Sequence, residues 1–408
     1  MLRPGQVVVL CALALLAIGL VMVTSAGLTV EPVETLPVGD ALAAVPTPPD
    51  DTTHSVGHSL LRVATSRPAV YLALAVAALV VGSLLPVRAL ADRLGRPGSR
   101  APLGLALGTV LILAVLATSF IPGLGREVNG SQRWVRLPML GGLSFQPSEF
   151  AKWGLALLVA WYAASRQALM HRFWLGLLPG LAAAAIVAAA VAYEDLGTGT
   201  LIGLVAGAVL LAGGARLWHF LAFVPPAVAG FVVLVLANPY RLTRLQTFLD
   251  PYADPKKAGY HMIQSLGAVA NGEGFGRGLG FGLQKFGYLP EDTTDFLFAI
   301  ICEELGIAGA AVVVSLYVAL LVASVLIIRR QPSLLLKLAA LGIITTVGIQ
   351  ALINLTVVTG LAPTKGIALP LVSAGGTGWI LTAFCLGLLV AIDRAAPRHE
   401  PEPLPALA

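Results

Sequence analysis

Charge is what this sequence has least of. Only 12% of its 408 residues are Asp, Glu, Lys or Arg, about half the share of a soluble domain. With 57% hydrophobic residues and a mean hydropathy of +0.86, a water-soluble globule is excluded, and the chain reads as a polytopic membrane protein. Cysteine is also scarce. Cys11, Cys302 and Cys385 stand far apart in apolar runs, which gives no disulfide framework, zinc cluster or paired redox motif. The six histidines fall without metal-ligand spacing. Neither a Walker glycine loop nor a nucleophile-elbow serine occurs, so nucleotide hydrolysis has no support. The net charge of +5 does not point to nucleic acid, because the basic residues lie in short loops between apolar runs.

What is present is a series of apolar runs long enough to cross about 30 Å of hydrocarbon as helices. They cover 7–26, 68–85, 102–121, a run ending near Ala164, 173–192, a run ending near Arg216, 217–236, a run ending at Arg329, 334–358 and a run ending at Asp393. The first is longer than the apolar core of a signal peptide, about 7–15 residues, and reads as a retained span. The expected fold is therefore an all-α polytopic membrane protein with about ten transmembrane helices. One membrane domain covers 1–408, with a large outer loop at 238–294 between spans seven and eight and a short tail at 395–408. Residues 29–67, rich in Pro, Thr, Asp and Glu, read as an irregular polar loop.

Orientation follows from the short loops, since Lys and Arg near span ends mark the cytoplasmic side. Arg88, Arg93, Arg96, Arg100, Arg166, Arg172, Arg216, Arg329 and Arg330 share one side. With ten spans, both termini are then cytoplasmic. The opposite face carries two mixed polar clusters.

The first cluster holds Arg133, Trp134, Arg136, Gln146, Glu149 and Lys152. Glu149 and Lys152 share a helix face at i,i+3; Lys152 either pairs structurally with Glu149 or holds a diphosphate as a point charge. Trp134 fits an interface belt equally well. The second cluster lies in 259–309, where glycine recurs at every second position from Gly272 to Gly282, followed by Lys285, Glu291, Asp292, Asp295, Glu303 and Glu304. Ionisable groups beside a membrane span suggest function, and this stretch is the candidate active-site loop. The 24 uncharged residues 305–328 span about 36 Å as helix, which sets Glu303 and Glu304 at the outer edge. A continuous helix would carry Asp295 about 12 Å farther out, where it meets a lipid-linked substrate or caps the helix with Thr294.

At these residues the chain resembles the SEDS family (shape, elongation, division and sporulation), whose members include FtsW, RodA and SpoVE. The resemblance runs from the first span to the tenth. It rests on NGSQRW at 129–134, FQPSEFAK at 145–152, DLGTG at 195–199, YLPEDTTDFLFAIICEELGIAG at 288–309 and PTKGIALPLVSAGG at 363–376. The Pro-Thr-Lys-Gly form of the last motif is more similar to the FtsW branch. Two departures stand out: Thr293 occupies the place of a usual histidine, and Ala374 and Thr377 replace a usual Tyr and Ser.

The resemblance implies a peptidoglycan glycosyltransferase that polymerises lipid II, the undecaprenyl-diphosphate-linked disaccharide peptide, at the outer face of a bacterial cytoplasmic membrane. Its implied partner is a class B penicillin-binding protein. A lipid flippase and a non-catalytic division scaffold are the alternatives. Asp295 falls on the family's catalytic aspartate, and Trp134, Glu149 and Lys152 fall on its outer motifs. Such chemistry needs a base at the attacking hydroxyl and positive charge at the leaving diphosphate. Asp295 is the candidate base. Lys152, Arg133, Lys285 and Lys365 are candidate diphosphate ligands, and Gln146 and Ser373 complete the expected substrate site. No organic cofactor is expected; a divalent cation, Mg or Mn, is left open, with Glu303 or Glu304 to hold it.

Overall fold

The computed structural model describes residues 2–27, 66–94, 100–128, 131–137, 143–237, 239–284, 289–291, 293–374 and 376–397. Lys285, Asp292 and most of the tail at 395–408 lie outside them, as does almost all of 29–67.

Each of the ten apolar runs is a helix. They are α1 (Pro4–Ala26), α2 (Arg67–Leu84), then, after the short amphipathic α3 (Val87–Leu94), α4 (Ala101–Ala117) and α5 (Pro147–Ser165). The series continues with α6 (Leu178–Glu194), α7 (Leu196–Ala212) and α8 (Leu217–Leu236). Two helices, α9 (Pro239–Leu249) and α10 (Tyr260–Asn271), stand where the sequence suggests a plain loop; α11 (Leu297–Arg330), α12 (Leu334–Val358) and α13 (Thr377–Ala395) complete the chain. Among the described residues eight helices are long and apolar enough to cross a membrane; α7 is shorter at 17 residues, and α5, which carries Glu149 and Lys152, is not one of the eight.

Local chemistry starts these helices. Pro4, Pro68, Pro102 and Pro147 sit in first turns, where a missing N–H costs nothing. The Ser66 hydroxyl accepts the Ala69 N–H at the start of α2. Asp195 alone separates α6 from α7; its carboxylate accepts the Gly197 and Thr198 N–H groups at 2.9 and 3.1 Å and the Thr198 hydroxyl at 2.8 Å.

One buried core joins α1, α2, α11, α12 and α13, and a second joins α4, α5, α6 and α7. Small residues let backbones touch, as membrane helix packing requires. A Cβ on Gly82 would lie 2.3 Å from the Phe384 carbonyl oxygen, and one on Gly387 would lie 2.2 Å from that of Leu79, so α2 and α13 pack backbone to backbone. By contrast, α8 buries none of its apolar window and carries Pro225 and Pro226 inside.

Among the described residues the fold departs from an all-helical outline at one place. Between α4 and α5 the chain forms an antiparallel sheet in the order β1 (Gly125–Val128), β2 (Ser131–Leu137), β3 (Leu143–Phe145). Arg126 pairs with Trp134, and Val135 with Phe145. The Ser144 N–H reaches the Tyr71 hydroxyl of α2 at 3.3 Å, and the Gln146 N–H reaches the Thr377 hydroxyl of α13 at 3.3 Å, which holds the sheet over these helix ends.

Candidate functional site

The long helix α11 is broken. Gly306 has φ 65° and ψ −164°, a conformation open essentially to glycine alone. A straight extrapolation from the span to Asp295 therefore fails. The backbone groups freed by the break find partners in the glycine-rich segment. Arg277 and Gly278 donate to the Glu303 and Glu304 carbonyls at 2.9 and 3.0 Å, while Ile307 and Ala308 donate to the Glu273 and Gly274 carbonyls at 3.0 and 3.2 Å. The accounting demanded of buried backbone groups is met across the break.

Glu303 and Glu304, expected at the outer edge, are 0% exposed. Glu303 accepts the Leu283 and Gln284 N–H groups at 3.0 and 3.2 Å; Glu304 accepts the Gly280 N–H at 2.9 Å and the Ser25 hydroxyl of α1 at 2.8 Å. These oxygens face donors, and no cluster of three or more His, Cys, Asp or Glu occurs among the described residues. The pair does not fit a divalent cation; it clasps the glycine-rich segment to α1 and α11. The stretch singled out in the sequence thus divides into a structural half, 272–284, and a half at 289–295 that belongs to the polar site.

The alternation of glycines now has a reason that can be tested. A Cβ on Gly276, where φ is +79°, would lie 2.2 Å from the Glu304 carbonyl oxygen, whereas one on Gly274 meets nothing within 4 Å. Gly276→Ala should cost about 3 kcal/mol or more from backbone strain plus the clash, and Gly274→Ala should be nearly neutral. Thermal unfolding of the detergent-purified variants checks the contrast; equal melting would refute the clasp.

Asp295 lies just before α11, whose cap residue is Phe296 with no side-chain cap bond. Capping is thus not its role, and Thr294 turns to Glu291 instead, donating to its carboxylate at 2.9 Å. Among the described residues no hydrogen bond or ion pair reaches the Asp295 carboxylate. The loop between α12 and α13 passes close by: a Cβ on Gly366 would lie 2.7 Å from Asp295 Oδ2. Burial pushes the Asp295 carboxyl up to about 7; Glu291 and Asp195 add to the rise, and Arg244 and Arg133 oppose it. These five side chains meet from 289–295, the α6–α7 turn, α9 and β2. Burial likewise lowers His261 of α10, with Arg244 acting in the same sense and Glu291 opposing.

The two arginines are held from behind. Arg133 lies 3.6 Å from Asp195 and donates to the Glu194 carbonyl, and Arg244 donates to the Thr364 carbonyl at 3.0 Å. Lys365 follows in the same loop. Trp134 pairs with Arg126 and Gln132 with Glu127, so Arg133 between them is the extra residue of a β-bulge, the kind of irregularity that re-aims a side chain.

Lys152 is 2% exposed. Its ammonium donates to both Glu149 oxygens at 2.8 and 2.7 Å and to the Gln350 amide oxygen at 2.7 Å, which uses all three of its protons. No donor remains for a diphosphate, and the structure gives Lys152 the pairing role. Ser373 is 1% exposed and its hydroxyl accepts the Leu369 N–H at 3.0 Å, closing its own turn rather than facing a ligand. Gln146 contributes its backbone N–H to the Thr377 contact.

Sequence reasoning passed over Arg244, Asp195 as a charge near Asp295, and two amides of α12, Gln350 and Asn354. Gln350 donates to the Ala368 carbonyl at 2.8 Å. Asn354 donates to the Asp295 and Ile367 carbonyls, both at 2.8 Å. Their i,i+4 spacing in a mainly apolar span was the available signal. The Ala374 N–H also donates to the Thr293 carbonyl at 2.9 Å. The two departures from the usual motif thus meet through main-chain atoms, a contact that does not depend on either side chain.

A family model described as "Cell cycle protein", covering FtsW, RodA and SpoVE, matches residues 52–397. The chain is 38% identical over 405 residues to a probable peptidoglycan glycosyltransferase FtsW of Alkalilimnicola ehrlichii, covering 97% of this chain and 90% of that one. It is 39% identical over 289 residues to the stage V sporulation protein E of Bacillus subtilis, covering 70% and 77%. Among solved structures it is similar to a chain described under "Structural coordination of polymerization and crosslinking by a peptidoglycan synthase complex", with TM-score 0.65, 25% identity and coverage of 95% and 96%. The rod shape determining protein RodA of Thermus thermophilus, at TM-score 0.57, 22% identity and coverage of 96% and 97%, shares the fold.

Proposed function

The chain belongs to the family of cell cycle proteins that includes FtsW, RodA and SpoVE, and from that premise we propose that it polymerises lipid II as a peptidoglycan glycosyltransferase at the outer face of a bacterial cytoplasmic membrane. The observation that carries the reading is the unpaired, half-buried Asp295 carboxyl, poised at about 7 among the guanidinium groups of Arg133 and Arg244. A general base works best when its pKa lies near the working pH.

The roles follow from charge and position. Asp295 accepts the proton of the attacking sugar hydroxyl as that oxygen bonds to the anomeric carbon. The bond from that carbon to the diphosphate oxygen breaks, and negative charge gathers on the leaving lipid diphosphate. Arg133, Arg244 and Lys365 lie where they answer that charge, and backbone carbonyls hold the first two in place. The catalytic form of Asp295 is the deprotonated one, so the rate should rise as pH passes upward through about 7, not through the ordinary aspartate range near 3.9. Glu291→Gln removes a neighbour that raises the Asp295 pKa, and the inflection should move to lower pH. An unchanged inflection would remove Glu291 from the site.

The partner we infer is a class B penicillin-binding protein, by analogy with the relative whose complex couples polymerization to crosslinking. The deciding experiment mixes the purified chain, with and without that partner, with labelled lipid II. Glycan polymer supports the reading; lipid transfer across vesicles without polymer would replace it with a transport function. Orientation has its own check: a cysteine at Ser131 should react with an impermeant thiol reagent from outside, and one at Ser333 only after permeabilisation. The reverse pattern would put Asp295 in the cytoplasm and end the lipid II argument.

A further inference from the structure

Asn354 lies inside α12, 2% exposed, and touches none of the charged groups of the site through its own side chain. Its amide nitrogen donates to two carbonyls at once, that of Asp295 and that of Ile367, each at 2.8 Å. The orientation of the amide is fixed by this pair, because turning it over would set oxygen against oxygen twice. The consequence is an orphan: the amide oxygen of Asn354 is buried and accepts no hydrogen bond. A buried amide chosen for stability alone would have both ends satisfied. This one leaves its acceptor unmet and spends both donors on joining the backbone of Asp295 to the loop that follows α12.

One turn earlier on the same face, Gln350 repeats the device. It donates to Ala368, the residue after Ile367, and accepts from Lys152. Two amides of one rigid helix therefore set the height of the loop, and the loop brings Gly366 against Asp295 Oδ2. We propose that Asn354 is a positioning residue for the glycosyl transfer, fixing the Asp295 main chain and the 363–369 loop in one register so that the carboxyl stays against Gly366. The proposal rests on the polymerase reading above and names a residue of that same site.

The test uses the full chain with its partner, labelled lipid II, and the variants Asn354→Ala and Asn354→Asp. The charged groups that act on Asp295 are Glu291 on its own segment, Asp195 in the α6–α7 turn, Arg244 on α9 and Arg133 on β2; Lys365 stands next to Gly366 in the loop, and His261 of α10 faces Arg244 and Glu291. Asn354→Ala frees the Asp295 segment, and kcat should fall by roughly 100-fold, the scale of a displacement of about 1 Å at a reacting group. KM for lipid II should stay within threefold. The pH inflection should fall, because a freed carboxyl reaches water. Asn354→Asp keeps the shape but offers at most one donor, and only when protonated, to the two carbonyls, so its kcat should fall in the same direction as that of alanine. That loss keeps the test intact if the alanine variant does not fold.

A residue that serves only the fold would lower the amount of folded protein and leave kcat per folded molecule and the inflection alone. That result in Asn354→Asp overturns the proposal. Wild-type protein that makes no polymer with its partner strikes the polymerase reading, and the positioning role with it. Active wild type with unaltered variants strikes the positioning role alone.

Discussion

Asp295→Asn should lower lipid II polymerisation by about 10²–10⁴-fold, the usual contribution of a positioned general base, while the protein reaches the membrane in normal amount. The amide is nearly isosteric and replaces a carboxylate that gives up no hydrogen bond among the described residues. The sign of the stability effect is also fixed. The folded-state pKa, about 7, lies above the unfolded value near 3.9. The protonated group's contribution is therefore full below the unfolded value and lost as pH rises through about 7. A neutral amide escapes that loss, so at pH 8 the variant should melt no lower than wild type. Polymer yield within twofold of wild type would remove Asp295 as the base.

The second large effect is expected at the buried ion pair. Lys152→Met leaves the Glu149 carboxylate without its cation, and breaking one side of a buried pair costs about 3–5 kcal/mol. Replacing both partners by apolar residues of similar volume is often neutral or stabilising. Glu149→Leu with Lys152→Met should therefore restore the thermal midpoint that the single change loses. Since the Lys152 ammonium is already bound by three acceptors, polymerisation should return to within tenfold of wild type. A double variant that folds and stays inactive would return Lys152 to the substrate site, and its pairing in this conformation would then be a resting state.

The spans were legible because hydrocarbon thickness is a blunt constraint: a run of 17 to 25 apolar residues has few other uses. Asp295 and the Glu149–Lys152 pair were legible for the complementary reason, since charge is conspicuous where it is expensive. The break at Gly306 was hidden by the same uniformity that revealed the helix. Leu305 to Ile328 carries no charge, and glycine inside such a run is ordinary in membranes. The clasp made by Glu303 and Glu304 was hidden because sequence order cannot tell a carboxylate facing backbone N–H groups from one facing a metal. The sheet around Trp134 has strands of four, seven and three residues, too short for alternation to announce them. Arg244 passed as one more loop cation, and its closeness to Asp295 depends on α9, a helix in a region that reads as loop.

The Ser25–Glu304 contact joins residues 279 positions apart, and it has a bearing on how the molecule is made. Synthesis proceeds from the N-terminus at about 5–20 residues per second, so the first helix waits for its buried acceptor while six further spans are being inserted. The glycine-rich segment waits too, although only for the twenty-odd residues that separate it from the break in α11. Until then its amides, and the hydroxyl of Ser25, have only water, lipid head groups or a chaperone to bond with. A ribosome stalled anywhere before Gly306 would leave the nascent protein unfastened at both places. Quality-control proteases on that side of the membrane would meet, in that interval, a strip of glycines that the finished protein keeps sewn down.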